Sequence, residues 1–314
     1  MDRVRCAICS SENSEPFCSA ESPDGNFTVI FNLVKCADCG LVYLNPRPDI
    51  KEMSRFYPEE YYKKPSPAGK GIPNAIIAFF IYLRKKRVCK YKTSGKILDL
   101  GCGSGGFLVS MQDRNWETFG VETSESGLRL CLEKKLNVRG DMNFPDGYFD
   151  VVTLWHSMEH MENPVSALRD IRRVLSGDGI LLVSVPNIES MEYRLFKRFW
   201  FHLDLPRHVC HFSPATLENL LKKTGFKILK TSHYSMEYNP YGLIQSIMNV
   251  FTPEFNFLYK IMKRNQSPGG NFILNAAISL AIMGIFAVPA FCFCYVFSLF
   301  KLGGVIHVYA EKTD

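Results

Sequence analysis

The sequence predicts a doubly wound α/β fold, a largely parallel sheet covered by helices on both faces, and three observations lead there. Between Lys96 and His233, short apolar runs alternate with stretches of helical periodicity. A glycine-rich turn, Gly101-Cys102-Gly103-Ser104-Gly105-Gly106, closes the first of those runs and opens the first helix. The chain has 314 residues, 46% of them hydrophobic and 22% charged. That is enough to bury a large core, and the composition is that of an ordinary globular protein rather than a disordered one.

The elements follow in order. Lys96–Leu100 reads as a buried strand and Gly106 to about Asn115 as the first helix. Phe119–Glu122 is the second strand, Glu125–Leu136 the second helix and Asn137–Arg139 a short third strand. Phe149–Trp155 is the fourth strand. Asn163-Pro164 then supplies an N-cap and a first-turn proline to a helix marked by Val165, Leu168, Ile171 and Leu175, with Gly177 as its stop. Ile180–Val185 is the fifth strand, Ser213-Pro214 starts another helix that Gly225 ends, and Phe226–His233 is a strand. Gly303–Ala310 is a last strand. Strands alternating with helices of this length imply a parallel sheet.

The glycine turn needs a backbone that bends tightly and lets a ligand approach. Its helix-start amides favour a negative group, either an amino-acid carboxylate or a pyrophosphate. Gly101, Gly103 and Gly106 also satisfy the dinucleotide pattern, so the glycines alone leave a nicotinamide cofactor open. Asp99 separates the two. A carboxylate two positions before the first glycine would repel a pyrophosphate, whereas it attracts the ammonium and sulfonium of S-adenosylmethionine. Glu122, at the end of the second strand, is placed to accept from ribose hydroxyls. Asp141, with the amide of Met142 beside it, is placed to accept from an adenine amino group.

Taken together, Ile97–Phe107, Gly120-Val121-Glu122, Phe149–Val152 through Glu159-His160, and Arg173–Gly179 resemble a class I S-adenosylmethionine-dependent methyltransferase. The resemblance covers Lys96 to His233 plus the last strand. It implies a seven-stranded Rossmann-like sheet whose last two strands form an antiparallel pair. It also implies cofactor contacts from Asp99, Gly101, Cys102, Gly103, Glu122, Thr123, Asp141 and Met142, with Trp155 and His156 lining the pocket after the fourth strand. No Asn/Asp-Pro-Pro-Tyr-type tetrapeptide follows that strand, which disfavours amino-group methylation of nucleic acid or glutamine.

Cys6-Ala7-Ile8-Cys9 and Cys36-Ala37-Asp38-Cys39 form paired CxxC knuckles separated by 26 residues. Four thiolates brought together by two tight turns make a closed tetrahedral site, so a structural Zn2+ held by Cys6, Cys9, Cys36 and Cys39 is expected, with Cys18 outside it. The continuation through Asn45-Pro46-Arg47-Pro48 and the aromatic Tyr57, Tyr61 and Tyr62 resemble the zinc-ribbon lead of bacterial methyltransferases acting on sugars and on surface-glycan or lipid-linked precursors.

Transfer to a hydroxyl or carbon acceptor requires a base, and five of the seven histidines fall in two clusters. His156 and His160 follow the fourth strand; His202, His208 and His211 follow the fifth. His208 is the favoured base, with Arg207 as an anion contact and His160 and His202 as alternatives.

The chain divides into a ribbon (1–45), a linker with a basic helix (46–94), the methyltransferase domain (95–238 plus 303–314) and an apolar insertion (239–302). Arg84, Lys85, Lys86, Arg87, Lys90 and Lys92 lie within nine positions. Weak aromatic interleaving points this block toward an anionic membrane surface rather than nucleic acid, and no nucleic-acid partner is expected. Phe272–Phe300 carries no charge over 29 residues. Pro289 and Gly284 divide that run, and both flanking strands belong to one sheet, so a helical hairpin dipping into one leaflet is expected, marked by Lys263-Arg264 and Lys301. Eleven cysteines and an opening without an apolar run suggest a reducing, cytoplasmic setting on the inner membrane face. An oligomer is compatible with all of this.

The expected activity is methyl transfer from S-adenosylmethionine to a hydroxyl or carbon of a sugar or lipid-linked glycan precursor. An isoprenoid or quinone-like lipid is the alternative acceptor. A nicotinamide oxidoreductase and a non-catalytic cofactor-binding module are the rivals from other classes.

Overall fold

A computed structural model describes residues 1–22, 29–49, 52–53, 55–57, 72–112, 115–263 and 271–313. Tyr61, Tyr62 and Arg264 lie outside these residues, as does most of the Pro/Gly-rich linker.

Strands β1 (Ser14–Glu21), β2 (Ile30–Cys36) and β3 (Val42–Leu44) form an antiparallel sheet behind the two cysteine knuckles. Helix α1 (Ile72–Cys89) leads into the main domain. There β4 (Gly95–Leu100), α2 (Gly106–Met111), β5 (Trp116–Val121), α3 (Glu125–Glu133), β6 (Asn137–Arg139) and β7 (Phe149–Trp155) alternate as expected. They are followed by α4 (Pro164–Val174), β8 (Leu175–Pro186), α5 (Met191–Phe196), the short β9 (Cys210–His211), α6 (Pro214–Lys223) and β10 (Phe226–Ser232). Helices α7 (Asn239–Phe251), α8 (Phe257–Lys263) and α9 (Phe272–Leu299) precede the last strand, β11 (Val305–Lys312).

The main sheet has seven strands in the order β10-β11-β8-β7-β4-β5-β6. The β4, β5, β6, β7 and β8 pairings are parallel, and β11 runs antiparallel between β8 and β10. Its central strands are buried almost throughout, with Ile97, Leu98, Val151, Val152, Leu154 and Leu181 all inaccessible. A sheet covered on both faces requires that continuous apolar pattern. The strand–turn–helix order thus puts the glycine turn, the end of β5 and the end of β7 at one edge, the carboxyl ends of the parallel strands, where such sheets bind ligands.

Four expectations change. Helix α4 stops at Val174, not Gly177, because Leu175 is captured by strand pairing with Phe149 and fully buried. The ribbon is not a separate unit either. Its sheet takes its fourth strand from the histidine loop, Val42 pairing with His211 and Tyr43 with Cys210, and Cys6, Phe31 and Leu44 share one core with Leu98 and Phe212.

The apolar run is a single helix rather than a hairpin. Pro289 sits on its exposed side and the helix continues through it. At 28 residues, α9 extends about 42 Å. Along that length one narrow stripe, Asn275, Ser279, Ile282, Ala290 and Cys294, is buried, mainly against α7. Asn275 Oδ1 accepts from the amide of Glu254 at 3.3 Å, and Cys294 lies beside Glu192 at 3.8 Å, so both ends of the helix are docked. The chain returns to its starting side through the α7–α9 pair; Ser232 and His307 face each other in register across β10 and β11.

Half of the basic block turns inward, while Lys86 and Lys90 stay exposed. Arg84 pairs with Glu237, Arg87 donates to Tyr309 Oη at 3.1 Å and to the Tyr234 carbonyl at 3.2 Å, and Lys85 donates to the Ser110 carbonyl at 3.0 Å. Ile76, Phe79 and Tyr82 of the same helix are exposed instead. Charged side chains bend inward where partners satisfy them.

Candidate functional site

The glycine turn is built around a left-handed backbone: Gly101, Gly103 and Gly105 have φ of 78°, 56° and 72°. A Cβ on Gly101 would strike the Ser157 side chain at 2.5 Å, and one on Gly105 would strike Leu136 at 2.2 Å. Gly103 differs, since nothing lies within 4 Å of its Cβ position, and the space over that residue is open for a ligand. Glu122 is held under this opening. Its Oε2 accepts from the Gly103 amide at 2.8 Å and its Oε1 from the Ser124 amide at 2.9 Å. Ser124 in turn caps α3 by accepting from the Gly127 amide, so turn, carboxylate and helix start form one rigid unit.

Asp99 is buried at the end of β4 and accepts from Thr153 Oγ1 at 2.7 Å. Burial pushes its carboxyl up to about 7, with the Thr153 hydroxyl and the Arg84 guanidinium pulling the other way. Thr123 is exposed just beyond Glu122. Asp141, exposed after β6, accepts from the Asn143 amide, and Arg173 ties down the same turn by donating to the Met142 carbonyl at 2.9 Å. Cys102 is buried in the turn. Trp155 packs edge-on to Phe107 at 5.6 Å, with its buried Nε1 unpartnered. The residues expected to hold the cofactor therefore border a single strand edge. Their chemistry fits S-adenosylmethionine: an open glycine backbone, a fixed carboxylate for the ribose, and a buried carboxylate that gains from a nearby cation.

Arg84, Glu237 and Tyr238 join this site without having been expected. Arg84 Nε donates to Glu237 Oε2 at 3.0 Å, and its Nη2 donates to both Glu237 Oε1 and Tyr238 Oη. The guanidinium lies 5.7 Å from the Trp155 ring and 5.5 Å from that of Tyr238. Nothing local singled out Arg84, which lies with Lys85, Lys86 and Arg87 at the basic end of α1.

The histidines fall into two groups. His156, with φ of 54°, lies tilted with its ring 3.9 Å from that of Tyr238 and stacks 6.1 Å from that of His202. His160 lies 4.7 Å from His208, and His208 lies 6.0 Å from His211. Glu159 joins the groups, because its Oε1 lies 3.2 Å from His156 Nδ1 and its buried carboxylate also lies within 4.8 Å of ring nitrogens of His160 and His208. Burial, and then the neighbouring imidazole, lower His160 to about 4 and His202 to about 3. Burial likewise lowers His208 to about 4, against the pull of Asp204. Burial thus keeps these rings neutral at pH 7. Arg207 does not face outward as an anion contact: it forms a two-pronged pair with Asp204 and donates to the Phe56 carbonyl at 3.2 Å.

The four knuckle sulfurs converge. Cys6 and Cys39 are 3.4 Å apart, Cys9 and Cys36 are 3.5 Å apart, and all four lie within 4.8 Å of one another. Cys18 is a free thiol outside this group.

Fold and site together define a Rossmann-like protein built to hold a cationic nucleoside. A family profile described as a methyltransferase domain matches residues 73–231, half of the chain, and the chain belongs to that family. It is an S-adenosylmethionine-dependent methyltransferase, and S-adenosylmethionine is its cofactor. The chain is 25% identical over 161 residues to a ubiquinone biosynthesis O-methyltransferase of Nitrosomonas europaea, covering 46% of this chain and 68% of the relative. It is 31% identical over 147 residues to a demethylmenaquinone methyltransferase of Staphylococcus carnosus, covering 40% and 61%. A Galdieria sulphuraria structure, described as a sarcosine dimethylglycine methyltransferase, superposes with a TM-score of 0.50 at 14% identity. The match covers 83% of this chain and 98% of that one, a likeness of fold alone.

Proposed function

We propose that the enzyme transfers the methyl group of S-adenosylmethionine to a hydroxyl of an apolar, isoprenoid- or quinone-like acceptor drawn from a membrane. The observation that carries this reading is the continuity between pocket wall and apolar helices. Tyr238, its ring against that of His156, is the residue immediately before α7, and α7 carries α9 along its flank. The ubiquinone and demethylmenaquinone names of the two relatives point the same way. The sugar or lipid-linked glycan acceptor expected from the ribbon has no comparable support.

Methyl transfer is an in-line displacement at an activated carbon, so alignment supplies much of the rate. Glu122 would fix the ribose, Asp141 and the Met142 amide the adenine, and Asp99 would face the cationic end. A hydroxyl acceptor must also lose a proton. Among His160, His202 and His208, His208 is favoured, because its Nε2 lies 3.8 Å from an Asp204 oxygen that would stabilise the imidazolium. Native membrane extract incubated with methyl-labelled S-adenosylmethionine should gain label in small neutral lipid; label confined to delipidated polysaccharide would reverse the choice of acceptor.

Two supporting parts belong to the same reading. The sulfur tetrad fits a closed zinc centre, since zinc–sulfur bonds of about 2.3 Å would place the sulfurs roughly 3.8 Å apart. Helix α9 is long and apolar enough to cross a membrane by length and composition. Docked along its length, it instead suits a position in the plane of one leaflet, with exposed Lys301 at an anionic headgroup layer on the cytoplasmic face. Ile273, Leu280 and Val288 are 80%, 73% and 76% exposed, an apolar surface far larger than isolated surface residues explain.

A further inference from the structure

We propose that Glu159, His160 and His208 form a second metal site, for a divalent first-row transition ion, distinct from the cysteine tetrad. One ligand atom from each lies within 4.8 Å of the other two. Shells with bonds of about 2.0–2.2 Å place neighbouring donors some 3 to 3.5 Å apart, so modest side-chain rotation closes the site.

Hydrogen bonding prepares both imidazoles as ligands. His208 Nδ1 donates to the His202 carbonyl at 2.8 Å, and His160 Nδ1 donates to the Arg207 carbonyl at 3.0 Å. Carbonyls only accept, so each proton resides on Nδ1 and each Nε2 keeps its lone pair. A backbone carbonyl fixing the tautomer is the arrangement metal-binding histidines use. The Tyr57 hydroxyl, 3.0 Å from His160 Nδ1, further restrains that ring.

The carboxylate supplies the independent observation. Glu159 is 1% exposed, its Oε1 is held by His156, and its Oε2 is buried with no hydrogen-bond partner. A buried carboxylate oxygen without a partner is costly and calls for an ion or a proton. Asp204, the other nearby acid, is committed to Arg207 through both oxygens. It neighbours the site without completing it, and coordination positions are left for an exogenous oxygen. Two imidazoles and one carboxylate suit zinc, iron(II), cobalt(II) or manganese(II) better than magnesium or calcium, which prefer all-oxygen shells.

The role of the ion rests on the proposed hydroxyl acceptor; its binding does not. Glu159 connects the site to His156 in the pocket wall. With the ion bound, His208 Nε2 is a ligand rather than the base, and an acceptor hydroxyl bound there would release its proton to water more readily; in the metal-free protein His208 is the proton acceptor. Its oxygen would then attack the methyl carbon, forming the C–O bond while the C–S electron pair returns to sulfur and leaves a neutral thioether.

The test is cobalt(II) titration of metal-free, full-length protein. Two ions per chain are expected, one with intense thiolate charge-transfer absorption and one without. Glu159→Gln and His208→Ala should each abolish the second while retaining the thiolate band. In the wild-type protein, bound cobalt should also shift the imidazole resonances of His160 and His208, a readout that requires no variant. Uptake of the thiolate-bound ion alone, with those resonances unmoved, would overturn the site whatever the acceptor proves to be.

Discussion

His211 pairs in register with Val42, so the sheet behind the cysteine knuckles is completed by the loop that carries the candidate bases. The Val209 carbonyl accepts from Leu44, and the Val209 amide donates to the Glu159 carbonyl at 2.9 Å, linking ribbon, histidine loop and the end of β7. Metal binding and folding of such knuckles are coupled. Chelation of zinc, or Cys39→Ser, should therefore lower turnover at least ten-fold while the Kd for S-adenosylmethionine stays within about two-fold. Metal analysis beside calorimetry checks this; parallel loss of both would mean that the ribbon supports the whole domain rather than the acceptor side.

Asp99 gives the cofactor site a pH dependence. Its folded carboxyl titrates near 7, above the ordinary value of 3.8. In the unliganded protein it thus contributes stability at low pH that is lost as pH rises through about 7. A cationic ligand reverses the preference, since it requires the carboxylate. Affinity for S-adenosylmethionine should fall up to ten-fold per pH unit below about 7, level off above it, and lose this dependence in Asp99→Asn. A flat profile in the wild-type protein would remove Asp99 from contact with the cofactor's charge.

Glu122→Ala should weaken S-adenosylmethionine binding ten-fold or more, about 1.4 kcal/mol, through loss of charge-assisted hydrogen bonds. Because Glu122 also holds the Gly103 and Ser124 amides, a melting curve should accompany the calorimetry. Unchanged affinity in a folded variant would place the ribose elsewhere.

The parallel core and the glycine turn were legible, because periodicity, glycine placement and a buried carboxylate are local signals; the antiparallel β10–β11 pair was implied only by the family resemblance. The sulfur tetrad was legible from spacing alone. What escaped was long-range. No local pattern says that Arg84 would reach Glu237 and Tyr238 across the fold, or that Cys210-His211 would join the ribbon sheet. Pro289 was read as a break, yet a proline facing outward costs one hydrogen bond and leaves a 28-residue helix continuous.

The exposed face of α9 predicts membrane binding that surface changes can remove. Leu280→Glu with Val288→Glu should release the protein from sedimenting vesicles with its melting temperature nearly unchanged, because both side chains point away from α7. Continued sedimentation of the double variant would shift the attachment to another surface, such as Ile76, Phe79 and Tyr82.

The most direct measurement of the whole account is methyl transfer by the purified enzyme to a vesicle-embedded, hydroxylated aromatic with an isoprenoid tail. Mass spectrometry should find that lipid heavier by one methylene unit, with one S-adenosylhomocysteine formed per methyl transferred and the rate reduced at least a hundred-fold in His208→Ala. An unmodified lipid, together with methylation of a soluble or lipid-linked sugar under the same conditions, would contradict it.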